Sequence, residues 1–113
     1  MTGYLTLGQE GRVVDREGKT LELKRDLSSP TGPLRTITAF ANSAGGRLVI
    51  GIADDGTVVG VEDPLSEEER VASLIDDWIS PQLVPAIDLV TLGGNTVLVV
   101  DVPLSTRRPH YIT

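Results

Sequence analysis

Residues 39–61 constrain this chain more than any other stretch. Phe40 and Ala41 close an apolar stripe, and Gly45-Gly46 follow at once. Leu48-Val49-Ile50-Gly51-Ile52 is apolar throughout, Asp55-Gly56 follows, and residues 57–61 turn apolar again. Glycine just past a helical stripe supplies the left-handed residue that ends many helices. A short, fully apolar run that follows such a stop predicts a central strand covered on both faces. Asp-Gly is a strong two-residue turn signal, so residues 57–61 are expected to return as a second strand.

The rest of the chain extends this pattern. Leu21 and Leu23 alternate with Glu22 and Lys24, as a half-buried strand requires. Pro33 suits the first position of a helix over about residues 33–43, with Thr31 or Gly32 as its cap. Leu34, Ile37, Phe40 and Ala41 supply that helix with one apolar stripe. Ser66 and Glu69 have capping-box spacing. Val71, Leu74, Ile75, Trp78 and Ile79 then repeat at helical spacing, and Pro81 stops them. Two further strands are expected over residues 87–92 and 96–102, joined at Gly93-Gly94-Asn95. The predicted fold is α/β (α+β): a single mixed sheet with two helices, in the order β-α-β-β-α-β-β.

A length of 113 residues corresponds to one domain over residues 1–113. Residues 1–18 read as a partly ordered N-terminal arm, with a short strand near Val13. Tyr111-Ile112-Thr113 is strand-like with nothing after it to cap it, so the chain is expected to be the N-terminal part of a longer protein, or to pair its last strand elsewhere. There is no cysteine, which excludes disulfides and thiolate metal sites. No run reaches the ~18 apolar residues of a membrane span, and the first residues lack signal-peptide regions. The expectation is a cytoplasmic protein without membrane partners.

The formal net charge is −6, unlike that of a dedicated DNA-coating protein, for which phosphate neutralisation supplies most of the affinity. The charge is uneven, however. Asp54, Asp55, Glu62, Asp63, Glu67, Glu68 and Glu69 crowd the middle, whereas Arg16, Lys19, Lys24, Arg25 and Arg35 lie upstream and Arg47 precedes the apolar strand. Arg107 and Arg108 lie near the end. Local potential can preserve a basic face on an acidic protein. Among single residues, Asn42 is expected to cap the first helix and Trp78 to be core. His110, with no cysteine and no acid nearby in sequence, is expected at a packing or rim position. Gly45-Gly46 is not a nucleotide loop, because the glycines follow a helix and precede a strand.

Four segments together resemble a known family. They are Leu21-Glu22-Leu23-Lys24, the run from Ala39 to Gly46, Val49-Ile50-Gly51-Ile52 with Asp54-Asp55-Gly56, and Arg108-Pro109-His110-Tyr111. Over roughly residues 17–112 the chain looks like the AlbA-like domain of Schlafen proteins and of many prokaryotic regulators. The resemblance implies a fold related to the archaeal chromatin protein Alba. It also implies a nucleic-acid-binding role in a transcriptional-regulator-type protein, without a cofactor. The cations that would contact phosphates are Arg16, Lys19, Lys24, Arg25, Arg35 and Arg47, and the nucleic acid is DNA or RNA. The resemblance also implies an alternative, since in some Schlafens the domain is a metal-dependent RNA endonuclease with three carboxylates. Carried over, Glu17 and Glu22 match two glutamates five apart, and the third acid falls at Asp54 or Asp55, with Asp54 taken. Under that reading these three hold Mg²⁺ or Mn²⁺ and Lys24 offsets charge in the transition state. Whether the chain is an enzyme stays open between the two readings. A homodimer through an available sheet edge is compatible with either.

Overall fold

A computed structural model describes residues 5–113; residues 1–4 of the expected arm lie outside the described residues. The elements are β1 (Leu21–Lys24), α1 (Thr31–Asn42), β2 (Gly46–Ile50), α2 (Pro64–Trp78), β3 (Ile79–Ser80), β4 (Ala86–Leu92), β5 (Asn95–Val102) and β6 (Tyr111–Ile112). The main sheet is mixed, in the order β1-β2-β5-β4. β1 runs parallel to β2, while β5 runs antiparallel to both β2 and β4. β3 and β6 form a second, two-stranded sheet. Both predicted helices and the mixed α+β architecture are present.

The apolar run behaves as its composition requires. Leu48, Val49 and Ile50 are fully buried, as are residues 97–100 beside them in β5. One face of the sheet packs Leu48, Ile50, Leu98, Val100 and Val102 against Leu34, Ile37 and Phe40 of α1 and Val71 and Ile75 of α2. The other face packs Val49, Val97 and Val99 against Leu5, Val13 and Ile52. The arm is therefore structural: Val13 bridges Leu7 and donates its N–H to the Gly56 carbonyl at 2.8 Å.

The structure corrects several expectations. Residues 57–61 do not form a strand: they meet residues 51–53 through an isolated Ile52–Val58 bridge and through the Thr57 carbonyl and the Val59 and Gly60 N–H groups. The reason is topological. β1 and β5 already occupy the two edges of β2, so no hydrogen-bonding edge is left for a hairpin partner. The sheet is not single, because Tyr111-Ile112 finds its partner in β3 within the chain. The first helix begins at Thr31 after Pro30, with no side-chain cap, rather than at Pro33. At α2 the cap is Asp63, which accepts the Ser66 N–H at 3.3 Å with Pro64 opening the helix, instead of a Ser66–Glu69 box. Trp78 is 48% exposed and outside the core. It is the last residue of α2, and Val71, Ile75 and Ile79 fill the inner face without it.

The helix-to-strand stop works as read, through two different glycines. Gly45 has φ +72° and donates its N–H to the Phe40 carbonyl at 2.7 Å. Gly46 lies under the Phe40 ring, where an added Cβ would approach to 2.7 Å. Gly93-Gly94 closes the β4–β5 hairpin with Leu92 opposite Asn95.

Candidate functional site

Strand order sorts the candidate residues by face and by end. Glu22 and Lys24 stand in register with Leu48 and Ile50, so they project on the helix-covered face, at the outer edge of the sheet. Their side chains pair with each other, Lys24 Nζ to Glu22 Oε2 at 3.3 Å. Arg47 lies on the opposite face and reaches Asp101, its cross-strand neighbour, at 3.9 Å. Lys24 and Arg47 therefore do not share a surface.

Glu17 has a distinct place. Its Oε2 accepts the Leu23 N–H at 2.9 Å, and Gly18 donates its N–H to the Leu21 carbonyl at 3.0 Å. These are the outward-facing groups of β1, because Thr20 and Lys24 use their carbonyls toward β2. The Glu17-Gly18 turn closes an edge that would otherwise stand open. Asp54 is exposed in the turn beyond β2. Glu17, Glu22 and Asp54 thus have separate local environments. Among the described residues no three His, Asp or Glu side chains group closely enough to hold a metal ion. In this arrangement the carboxylates do not fit a divalent-metal centre.

Asp55 is a turn residue. Its carboxylate accepts the Thr57 N–H at 2.9 Å, and the Thr57 hydroxyl, with that amide, holds its carboxyl below the usual value. A carboxyl depressed in the folded chain contributes its stability in full above the unfolded value of about 3.9 and loses it as pH falls through the folded value. Proton titration followed by NMR should place the Asp55 midpoint below that of a free aspartate. Thr57→Val should raise it.

The cations divide by end of the sheet. Four of the ten form ion pairs: Arg12 with Glu10, Lys24 with Glu22, Arg47 with Asp101 and Arg70 with Glu67. Arg16, Lys19, Arg25, Arg35, Arg107 and Arg108 are exposed and form no ion pair among the described residues. Arg25 lines a broad groove at the end where β1 and β2 finish, together with Asp26, Glu62, Asp63 and Glu67. That end is acidic. Arg35 stands on the outer side of α1.

The other end of the sheet is where β1 and β2 begin and β5 finishes, with Gly46 opposite Val102. A cleft of about 490 Å³ there is lined by Asp15, Thr20, Gly45, Arg47, Asp101 and Leu104, among others. Arg16 and Lys19 lead into β1 at this end, and Arg107 and Arg108 follow β5. Here the sequence expectation omitted Arg107 and Arg108. The register that brings residue 102 beside residue 46 is the signal that places them, and it is not local.

A second feature escaped the sequence altogether. Asn42, expected to cap α1, instead spans 68 residues: its Nδ2 donates to the His110 carbonyl at 3.0 Å and its Oδ1 accepts the His110 N–H at 2.8 Å. The His110 imidazole is 2% exposed. Its Nδ1 lies 2.8 Å from the Pro81 carbonyl and its Nε2 lies 2.6 Å from Ser105 Oγ. A carbonyl can only accept, so these partners assign the proton to Nδ1 and let the Ser105 hydroxyl donate to Nε2. Every polar atom of this cluster is satisfied. It fastens the segment after β5 to the end of α1, beside the cleft.

No helix among the described residues is long and apolar enough to cross a membrane. The fold is shared with the N-terminal domain of a RecG-related protein of Nitrosomonas europaea, a protein named for an ATP-dependent DNA helicase. The two are 32% identical with a TM-score of 0.73, over 88% of this chain and 73% of that one. The DIP2311 protein of Corynebacterium diphtheriae shows the same fold at 21% identity and a TM-score of 0.65, over 96% of this chain; the chain spans 22% of that protein. The Schlafen AlbA_2 family model matches residues 17–113, and with the helix, Gly-Gly stop and buried strand standing as that family's motif requires, this chain belongs to the Schlafen AlbA_2 family.

Proposed function

We propose that this domain is a nucleic-acid-docking module. It engages the phosphate backbone at the end of the sheet where Arg16 and Lys19 lead into β1 and Arg107 and Arg108 follow β5, beyond the cleft lined by Arg47. The observation that carries this reading is the separation of charge along the strands. Arg16, Lys19, Arg107 and Arg108 form no ion pair among the described residues, and of the cations at this end Arg47 alone is paired, loosely, with Asp101, whereas Arg25 at the other end shares its groove with four carboxylates. Family membership and the likeness to a domain of a RecG-related protein support nucleic acid as the polyanion.

Arg47 and Asp101 form a loose pair with both side chains about two-fifths exposed. Such pairs contribute little to stability, so exchanging Asp101 for a phosphate would cost the guanidinium little. Asp15 and Asp101 line the same cleft and oppose binding, which keeps affinity modest. Contacts of this kind position nucleic acid without reading its bases.

The test is fluorescence anisotropy with labelled DNA and RNA oligonucleotides. With about four phosphate contacts, affinity should fall roughly 100-fold between 50 and 200 mM salt. Reversing Lys19, Arg107 and Arg108 together to glutamate should weaken binding at least about tenfold. Arg25→Glu should leave it nearly unchanged. Absence of binding at low salt, or equal damage from Arg25→Glu, overturns the reading.

A further inference from the structure

The two edges of the main sheet are treated differently. The β1 edge is closed by Glu17 and Gly18, as described. The β4 edge carries no comparable device, and the direction of its backbone groups can be derived. The Thr96 carbonyl accepts the Val61 N–H at 2.8 Å, on the side of β5 away from β4. Thr91, opposite Thr96, therefore belongs to a non-hydrogen-bonded pair, and its N–H and C=O point away from the sheet. By alternation those of Leu89 and Ile87 do the same. Among the described residues no backbone hydrogen bond reaches these groups.

This open edge is seven residues long, contains neither lysine nor proline, and carries a single charge, Asp88. Leu89 on it and Val84 just before it are exposed apolar residues. Long apolar edges without charge or bulge are templates for strand pairing. We infer that β4 pairs antiparallel with β4 of a second copy of this chain, about a two-fold axis at Leu89, to give one continuous eight-stranded sheet.

The occupant follows from self-complementarity. With the axis at Leu89, the outward N–H and C=O of Leu89 meet those of the partner's Leu89, and Ile87 meets the partner's Thr91. All three outward residues are then paired from each side. Asp88 faces the partner's Val90, so no like charges oppose. Moving the axis to Asp88 would set two carboxylates against each other, which is destabilising. Moving it to Ile87 would bring Pro85, which lacks an N–H, against the partner's Leu89. Moving it past Leu89 runs the overlap into the Gly93-Gly94 turn. An isologous pairing of this kind closes at two copies.

Sedimentation or light scattering of the chain over a concentration series tests the inference. The wild type should form a concentration-dependent dimer. Leu89→Lys and Leu89→Glu each place like charges on the axis and should raise the dissociation constant at least about tenfold. Leu89 is 37% exposed, so the monomer accommodates both, and circular dichroism should show an unchanged fold. Mixing the two variants should restore a heterodimer, because the opposed charges are then complementary. A wild type that stays monomeric at its solubility limit overturns the inference. So does a Leu89→Lys chain that dimerises like the wild type, or a mixture that fails to pair. None of the cations of the proposed nucleic-acid contact lies on this edge, so anisotropy on the monomeric variant reads that function separately.

Discussion

Gly45→Val should lower the stability of the chain by roughly 2–5 kcal/mol, summing two independent costs. The first is conformational: φ is +72° at this position, where a side chain costs about 1–2 kcal/mol. The second is steric. A Cβ would stand 2.8 Å from the Val102 carbonyl oxygen and 3.0 Å from the Leu104 nitrogen. Both are backbone atoms, the first in the β2–β5 ladder and the second just beyond it, so neither can yield as a flexible side chain would. Overpacking of this kind costs about 1–3 kcal/mol. For a domain of this size, about 4 °C per kcal/mol converts the loss into a melting point lower by roughly 8–20 °C. Gly93→Ala separates the two costs. Its φ is +55° but an added Cβ meets nothing within 4 Å, so the variant should lose only about 1–2 kcal/mol. Equal losses at the two sites would show that crowding against residues 102–104 contributes nothing.

Asn42→Ala should cost about 2–4 kcal/mol, read from urea denaturation midpoints. The substitution strands the N–H and the C=O of buried His110 together, and each unsatisfied group costs about 1–3 kcal/mol. His110→Ala should cost about 3 kcal/mol, because it leaves a cavity and removes the partner of Ser105 Oγ and of the Pro81 carbonyl. The double variant should fall short of the sum by at least about 1 kcal/mol. Either loss releases the same segment, and once released it has little left to lose. Additive effects would mean that the two residues act on separate parts of the structure.

What the sequence made legible was local. The alternation of Leu21 and Leu23 with Glu22 and Lys24 identified a half-buried strand, and the apolar run at residues 48–52 identified a central one. Leu34, Ile37, Phe40 and Ala41 identified the buried side of α1, and the Gly-Gly pair identified its end. What stayed hidden depends on contacts distant in sequence. The partner of Tyr111-Ile112 lies 31 residues away at Ser80, and the partner of Asn42 lies 68 residues away. Trp78 fits the helical stripe by spacing, yet α2 ends there and leaves it outside. The candidate interface shows the same division. Cations could be counted from composition. That Lys24 and Arg47 stand on opposite faces follows only from the parallel register of β1 and β2, which places Leu21 beside Arg47 and Lys24 beside Ile50. Glu17 was legible as a carboxylate near a strand, but its bond to the Leu23 amide was not.

The likeness to the family begins at residue 17, yet Leu5 and Val13 lie over the rear of the sheet with Val49, Val97 and Val99. The region that identifies this chain by descent is therefore smaller than the region that covers the rear of its sheet. A fragment trimmed to the recognisable motif would turn a valine-rich wall toward water, and its first response would be to stick to its neighbours. Boundaries drawn from ancestry and boundaries drawn from wetting differ here by twelve residues.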